Sequence, residues 1–317
     1  FYFYNILKKK NKDIVFGYDY CKLLKSQKNK IEIKNSHKAH LYDGIALTNF
    51  FYWLEKSRKK KSLTEYIVAN KLEEFRKKND DYFSSSFPTI AATGANASII
   101  HYIPNEKSSI LRDNQLFLCD SGGQYYGSTT DITRTIFLGD KSPKNLFQDI
   151  YTKVLIGHIN VSMIKFPLGT KGFQIDALAR TELWRDGFDY SHGTGHGVGS
   201  FLGVHEGPQS ISKSFNGFDL KPGMIISNEP GYYRNGEFGV RIENLILVKK
   251  SKNNGFLEFE TLSLFPYENR LIKKDLLTSL QIKWLNSYHK HVFDKISPHI
   301  DNEEKNWLRK KTMPIQL

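Results

Sequence analysis

With 317 residues, of which 39% are apolar and 14% aromatic, the chain can bury a sizeable core and form one large domain with appendages. No run approaches the roughly 18 to 20 uninterrupted apolar residues of a membrane helix, and the apolar start Phe1–Phe3 is too short for a signal peptide. The net charge of +13 falls in scattered lysine-rich runs, Lys8–Lys10, Lys59–Lys61 and Arg309–Lys311, without interleaved aromatics, so it reads as a solvated basic surface rather than a nucleic-acid footprint.

The sequence begins at Phe1 rather than Met and reads as a fragment or processed form. Residues 1–25 are too short to close a core and are expected to be the remnant of an upstream domain or linker. From about Ser36 a long helix is predicted, with Leu47, Phe50, Phe51 and Leu54 at the spacing of a buried stripe, ended by a basic loop. Ser62 and Glu65 form a capping-box pattern that opens a second helix to about Lys78. Thr93–Asn96 is turn-like, Ser98–Tyr102 and Gln115–Asp120 read as strands, and Thr130–Leu138 returns as their partner.

The second half repeats the order. Ser142 and Pro143 start a helix with the stripe Phe147, Ile150, Tyr151 and Val154, and another helix follows over Ile175–Leu183. Strands are predicted at Gly199–Val204, Met224–Asn228 and Gly239–Val248. Each half carries His-x-x-Pro after its helix pair, at His101–Pro104 and His205–Pro208, followed by a pair of acids, which suggests two α+β halves related by a pseudo-twofold axis. From Leu271 the pattern is helical again, with Leu285, Tyr288 and Val292 on one face, and this tail is expected to pack on the core or on a partner subunit.

Chemistry concentrates in three strings. Asp120 ends an apolar strand, a glycine-rich turn follows, and Asp131 opens the next strand, so a hairpin returns both carboxylates to one place. Two close carboxylates repel unless they share a proton or hold a cation, yet alone the pair is equally an ordinary polar turn. The string from Ser191 to Pro208 is dense in glycine and carries His192, His196 and His205; its glycines permit close backbone approach and positive φ. Glu229 and Glu243 each lie near the end of an apolar strand pattern, where either alone reads as one half of a salt bridge, for example with Arg241. Taken together, four carboxylates and one imidazole are a hard, oxygen-rich set suited to Mn²⁺ or a similar divalent ion, and their combined charge suggests two ions.

The order Asp, Asp, His, Glu, Glu resembles the pita-bread metallopeptidases of family M24. The strings DSGGQYYGSTTDITRT, HGTGHGVGSFLGVHEGP and NEPGYY followed by GVRIEN narrow the resemblance to the eukaryotic cytosolic type of aminopeptidase P (Xaa-Pro aminopeptidase). It covers about Lys28 to Leu317, including the C-terminal WLRKKTMPI. The resemblance implies an α+β pita-bread fold with a curved antiparallel sheet, a catalytic domain over 26–270 and a C-terminal helical extension over 271–317 that serves dimerisation. It also implies that Asp120 chelates one metal, that Asp131 and Glu243 bridge two, and that His196 and Glu229 complete the other site. A hydroxide between the ions is then the nucleophile and Glu229 the general base. By the same resemblance His101 and His205 contact the scissile carbonyl, His192 lies in the pocket for the penultimate proline, and Arg241 orients a bridging carboxylate from behind.

The implied reaction removes the N-terminal residue from peptides whose second residue is proline. Two divalent ions are implied, Mn²⁺ ahead of Co²⁺ or Zn²⁺, as is a homodimer. The widely spaced Cys21 and Cys119 suit a reducing, cytoplasmic setting, with a degradative vacuole as the alternative, and Cys119 is expected to be a buried free thiol. A prolidase shares the ligand set but is disfavoured by the HGTGHGVGSFLGVHEGP string and the tail. A methionine aminopeptidase differs around the histidines, and a noncatalytic relative would be expected to lose ligands.

Overall fold

A computed structural model of the chain describes residues 1–59 and 62–316, so Lys60 and Lys61 of the second basic run lie outside the described residues. Two short helices come first, α1 (Tyr2–Lys9), with no buried residue, and α2 (Tyr20–Ser26). Helix α3 (Lys30–Ser57) begins six residues before Ser36, because Asn29 accepts from the Ile31 and Glu32 N–H groups while Glu32 reaches back to the Asn29 N–H. Leu47, Phe50, Phe51 and Leu54 are buried as the stripe requires. Helix α4 (Glu65–Arg76) is capped by Thr64, whose hydroxyl accepts from the Ile67 N–H. The predicted Ser62–Glu65 capping box is therefore not made, and Glu65 turns its carboxylate into the interior instead.

Strands β1 (Tyr82–Ser85), β2 (Ile90–Thr93), β3 (Gln115–Ser121), β4 (Gly123–Tyr125), β5 (Ser128–Thr129) and β6 (Ile132–Leu138) complete the first half. They pair as β2-β3-β6 and β1-β4-β5. Ser98–Tyr102 is not a strand: a 3₁₀ turn over Gly94–Ser98 leads into an open loop, in which the Ser98 hydroxyl donates locally to Ala95 O while Asn96 and Tyr102 donate to Glu65 of α4. β2, absent from the sequence reading, supplies the partner that β3 needs on its other side.

In the second half, α5 (Asn145–Met163) precedes β7 (Lys165–Pro167), α6 (Phe173–Trp184), β8 (Gly195–His196), β9 (Ser210–Ile211), β10 (Ile225–Asn228), β11 (Gly231–Arg234), β12 (Phe238–Arg241), β13 (Asn244–Lys250) and β14 (Phe256–Thr261). The main sheet runs β10-β13-β14-β7, and every pairing described in both halves is antiparallel. The predicted Gly199–Val204 strand is a loop. The predicted Gly239–Val248 strand is two strands, interrupted at Ile242–Glu243. At that break the halves join: Glu243 N–H donates to Thr133 O (3.1 Å), and the Thr135 hydroxyl donates to Arg241 O (2.9 Å).

Helices α7 (Ser279–Ile296) and α8 (Asn302–Lys311) close the chain. The stripe Leu285, Tyr288 and Val292 is buried in the same apolar cluster as Ile150, Tyr151 and Val154 of α5, so the tail packs on its own core. The link is also polar. Buried Arg134 on β6 donates to the Glu243 and Phe265 carbonyls (2.6 Å each) and to the Tyr288 hydroxyl (3.0 Å), tying α7 to the break that carries Glu243. Cys119 is a buried free thiol whose pKa burial pushes up to about 12.

Candidate metal centre

The register of β3 on β6 sets Asp120 opposite Thr133, so Asp131, two residues before Thr133, arrives beside Asp120 as the hairpin predicted. Alternation along the strand also puts Thr133 on the face of Asp131, where its hydroxyl donates to Glu243 Oε2 at 2.7 Å. Glu243 owes its place to the interruption between β12 and β13. From the other wall come His196 on β8 and Glu229 just past β10, linked by Ser227: its hydroxyl accepts from the His196 N–H and donates to Glu229 Oε1, both at 2.9 Å.

Glycine makes this approach possible by its size. A Cβ on Gly195 would stand 1.9 Å from the Ser227 carbonyl oxygen, so any side chain would push His196 away from Glu229. The positive φ expected of this glycine-rich string does not occur at its glycines. Between 191 and 208 the left-handed residue is Phe201, at φ 57°.

The imidazole of His196 is poised as a ligand. Its Nδ1 lies 3.0 Å from the Gly197 carbonyl, which can only accept, so the proton sits on Nδ1 and the Nε2 lone pair faces Glu229 Oε1 (3.3 Å) and Asp131 Oδ2 (3.5 Å). Ligand atoms of Asp131, His196 and Glu243 all lie within 4.8 Å of one another. Asp120 and Glu229 line the same cleft, together with His101, His205 and Arg241. The five residues expected to hold metal are thus brought together.

The donor set fits divalent cations on its own chemistry. Asp120 Oδ1, Asp131 Oδ1 and Glu243 Oε1 are buried without a hydrogen-bond partner, an arrangement that proteins avoid unless something else satisfies those oxygens. Burial first, and then the neighbouring carboxylates, push Asp131 and Glu243 well above the usual carboxylate range. Nearby cations would remove that penalty.

Arg241 differs from expectation in its partner. It was expected behind a bridging carboxylate, but its Nη2 donates to Asp120 Oδ2 at 2.7 Å. Its Nη1 donates to the Tyr233 hydroxyl at 2.7 Å. That hydroxyl lies 2.8 Å from His192 Nε2, whose ring holds its proton on Nδ1 against the Gly193 carbonyl (2.8 Å). His192 is thus engaged at both ring nitrogens, and burial lowers its pKa. His205 is closer to the chemistry: its ring centroid is 4.1 Å from that of His196, and burial lowers its pKa. Thr133, Ser227 and Tyr233 were missed from sequence. Thr133 and Tyr233 were visible only as members of the quoted strings, and a period-2 reading from Asp131 would have found Thr133.

Residues 34–250 match metallopeptidase family M24, and residues 255–315 match the C-terminal region described for the same peptidases; the chain belongs to family M24. It is 45% identical over 304 residues to a probable Xaa-Pro aminopeptidase P of Coprinopsis cinerea, covering 92% of this chain and 49% of that protein. It is 45% identical over 307 residues to Xaa-Pro aminopeptidase 1 of Dictyostelium discoideum, with the same coverage of 92% and 49%. The chain thus spans about half the length of the curated relatives it matches.

Among solved structures, an X-prolyl aminopeptidase from Caenorhabditis elegans, described as a cytosolic enzyme with a di-nuclear active site, superposes with a TM-score of 0.93 at 37% identity, covering 98% of this chain and 52% of that one. A prolidase from Pyrococcus furiosus superposes with 0.66 at 29% identity, covering 77% and 66%. The chain has the α+β pita-bread fold, with its C-terminal helical region.

Proposed function

We propose that this chain is the catalytic part of a metal-dependent Xaa-Pro aminopeptidase, releasing the N-terminal residue from peptides with proline in second place. The observation that carries the reading is the cluster of five donors in one cleft with three buried carboxylate oxygens left without partners. Asp120 would hold one divalent ion, His196 and Glu229 the other, with Asp131 and Glu243 between them and Mn²⁺ the preferred metal. When bound, such ions lower the pKa of water and polarise a carbonyl.

The chain's own groups do the rest. Glu229, fixed by Ser227, accepts the proton of the attacking water and returns it to the leaving nitrogen. His205 and His101, which both line the cleft, donate to the carbonyl oxygen as negative charge develops. Arg241 fixes Asp120, and His192, through Tyr233, fixes Arg241. An X-Pro bond has no N–H for a peptidase to grasp. The apolar wall formed by Phe87, Pro88, Ile90, Ile100, Ile103 and Val204 suits a pyrrolidine ring, and the cleft, about 740 Å³ including its open mouth, is of peptide size.

Domain limits at about 26 and 270, a cytoplasmic setting and a homodimer belong to the same proposal. Their support is the resemblance, while the C-terminal helices share one core with α5. No helix among the described residues is long and apolar enough to cross a membrane. The test compares release of arginine from Arg-Pro-Pro and Arg-Ala-Ala after Mn²⁺ is added to metal-stripped protein. Metal-dependent cleavage of the proline peptide alone is expected; cleavage of neither, with metal bound, refutes the assignment for this chain.

A further inference from the structure

Glu65 is fully buried, and its partners are all neutral. Its Oε1 accepts from the Thr93 N–H (2.7 Å) and the Thr93 hydroxyl (3.0 Å). Its Oε2 accepts from the Tyr102 hydroxyl (2.7 Å), the Asn96 amide (2.9 Å) and the Ser109 N–H (3.2 Å). The main chain repeats the tie, since Glu65 N–H donates to Ser109 O at 3.0 Å and Leu111 N–H to Leu63 O at 2.8 Å. One carboxylate thus gathers both ends and the middle of the segment from Thr93 to Ser109.

The first part of that segment is held by other means, since the 3₁₀ turn Gly94–Ser98 buries Ala97 and the Gly236 N–H donates to the Ser98 hydroxyl at 3.3 Å. Beyond that turn it contains no strand, and Ile99, His101 and Ile103 are exposed. It nevertheless supplies Ile100, His101 and Ile103 to the cleft that holds the five metal-type donors. Tyr102, the neighbour of His101 in sequence, points the opposite way and ends on Glu65.

Helix initiation does not require this carboxylate, because Thr64 caps α4. Nor is burial of a carboxylate among neutral groups a favourable way to fill an interior position, since desolvation costs more than for an apolar side chain. What five converging donor groups supply, and packing does not, is a defined loop geometry.

We infer that Glu65 is a positioning residue for the reaction: it clasps the 93–109 loop and thereby sets where His101 presents its ring to the substrate carbonyl. The inference rests on the proposed aminopeptidase reading for its catalytic consequence, but the clasp itself does not. Glu65→Gln keeps the shape while replacing one acceptor oxygen with a donor that faces other donors. Tyr102→Phe keeps Glu65 and removes one of its partners, and serves if the first variant does not fold.

The experiment measures Mn²⁺ affinity, backbone hydrogen exchange over residues 94–109, and kcat and KM on Arg-Pro-Pro, for each variant alone and combined with His101→Ala. Expected are unchanged Mn²⁺ affinity, exchange in the loop faster by about tenfold or more, and kcat lower by about 10- to 100-fold for Glu65→Gln with little change in KM. Tyr102→Phe is expected to lose about three- to tenfold. In the His101→Ala background neither change should lower kcat further, which a merely structural role would not produce. Losses that multiply in that background, weakened Mn²⁺ binding, or unaltered loop exchange each overturn the inference. If the parent protein does not cleave Arg-Pro-Pro, the functional reading fails, and unaltered exchange in Glu65→Gln still decides against the clasp.

Discussion

Replacing Thr133 with valine removes one hydroxyl from the centre and little else. Thr133 and Glu243 are both buried, valine has the shape of threonine, and it suits the strand position on β6. The lost bond is the 2.7 Å donation to Glu243 Oε2; a longer contact from Arg241 Nε, at 3.3 Å, goes with it, while Arg241 keeps Asp120 and Tyr233. A hydrogen bond to an ionised group contributes about 1.5–3 kcal/mol. In the metal-free protein Glu243 is pushed towards its protonated form by burial and by Asp131, so the same bond is there worth about 0.5–1.5 kcal/mol. The difference, roughly 1–1.5 kcal/mol, predicts Mn²⁺ binding weakened about tenfold, at the lower end of what loss of a ligand's supporting partner usually produces. Competition against a fluorescent chelator gives the affinity, and calorimetry of the metal-free protein gives the background stability. An affinity within twofold of the parent, or a metal-free destabilisation well above about 1.5 kcal/mol, would refute the argument.

Asp131→Asn should abolish Mn²⁺ retention yet raise the melting temperature of the metal-free protein by roughly 2–4 °C, because it removes a buried carboxylate whose pKa burial and the Asp120 and Glu229 charges push up; differential scanning calorimetry with chelator present checks the sign. His205→Ala should retain metal by elemental analysis while turnover of Arg-Pro-Pro falls about 10²- to 10³-fold, and full activity would remove the oxyanion role assigned to it. Buried His40, held neutral by burial with its pKa lowered to about 4 from 6.5, stabilises the fold above pH 6.5 and loses that contribution as pH falls. Denaturation of the metal-free parent should therefore show an acid-side loss of about 3 kcal/mol by pH 4 that His40→Gln lacks, and equal pH dependence of the two proteins would count against it.

Local chemistry was legible wherever it is written in consecutive residues. The stripe of α3, the stripe of α5 and the Asp120–Asp131 hairpin follow from periodicity and turn composition, and they stand where they were read. The reading failed where two local patterns competed. Ser62-x-x-Glu65 looks like a capping box, but Thr64 offers an equally good cap, and only the loop folded against α4 gives Glu65 something better to do. Ser98–Tyr102 is apolar enough for a strand, yet it has no neighbouring strand to complete a ladder. Gly239–Val248 reads as one strand because nothing local marks the interruption at Glu243.

By itself the sequence marked Asp120, Asp131, His196, Glu229 and Glu243 as candidates for metal chemistry, because together four carboxylates and an imidazole make one hard donor set. Only the tertiary structure decided how each one is held: that Arg241 pairs with Asp120, that Thr133 supports Glu243, that His192 stands behind Tyr233, and that Glu65 holds the loop of His101. Hydrogen bonds between residues 37 to 121 positions apart depend on distance and direction in space, and a linear pattern records neither.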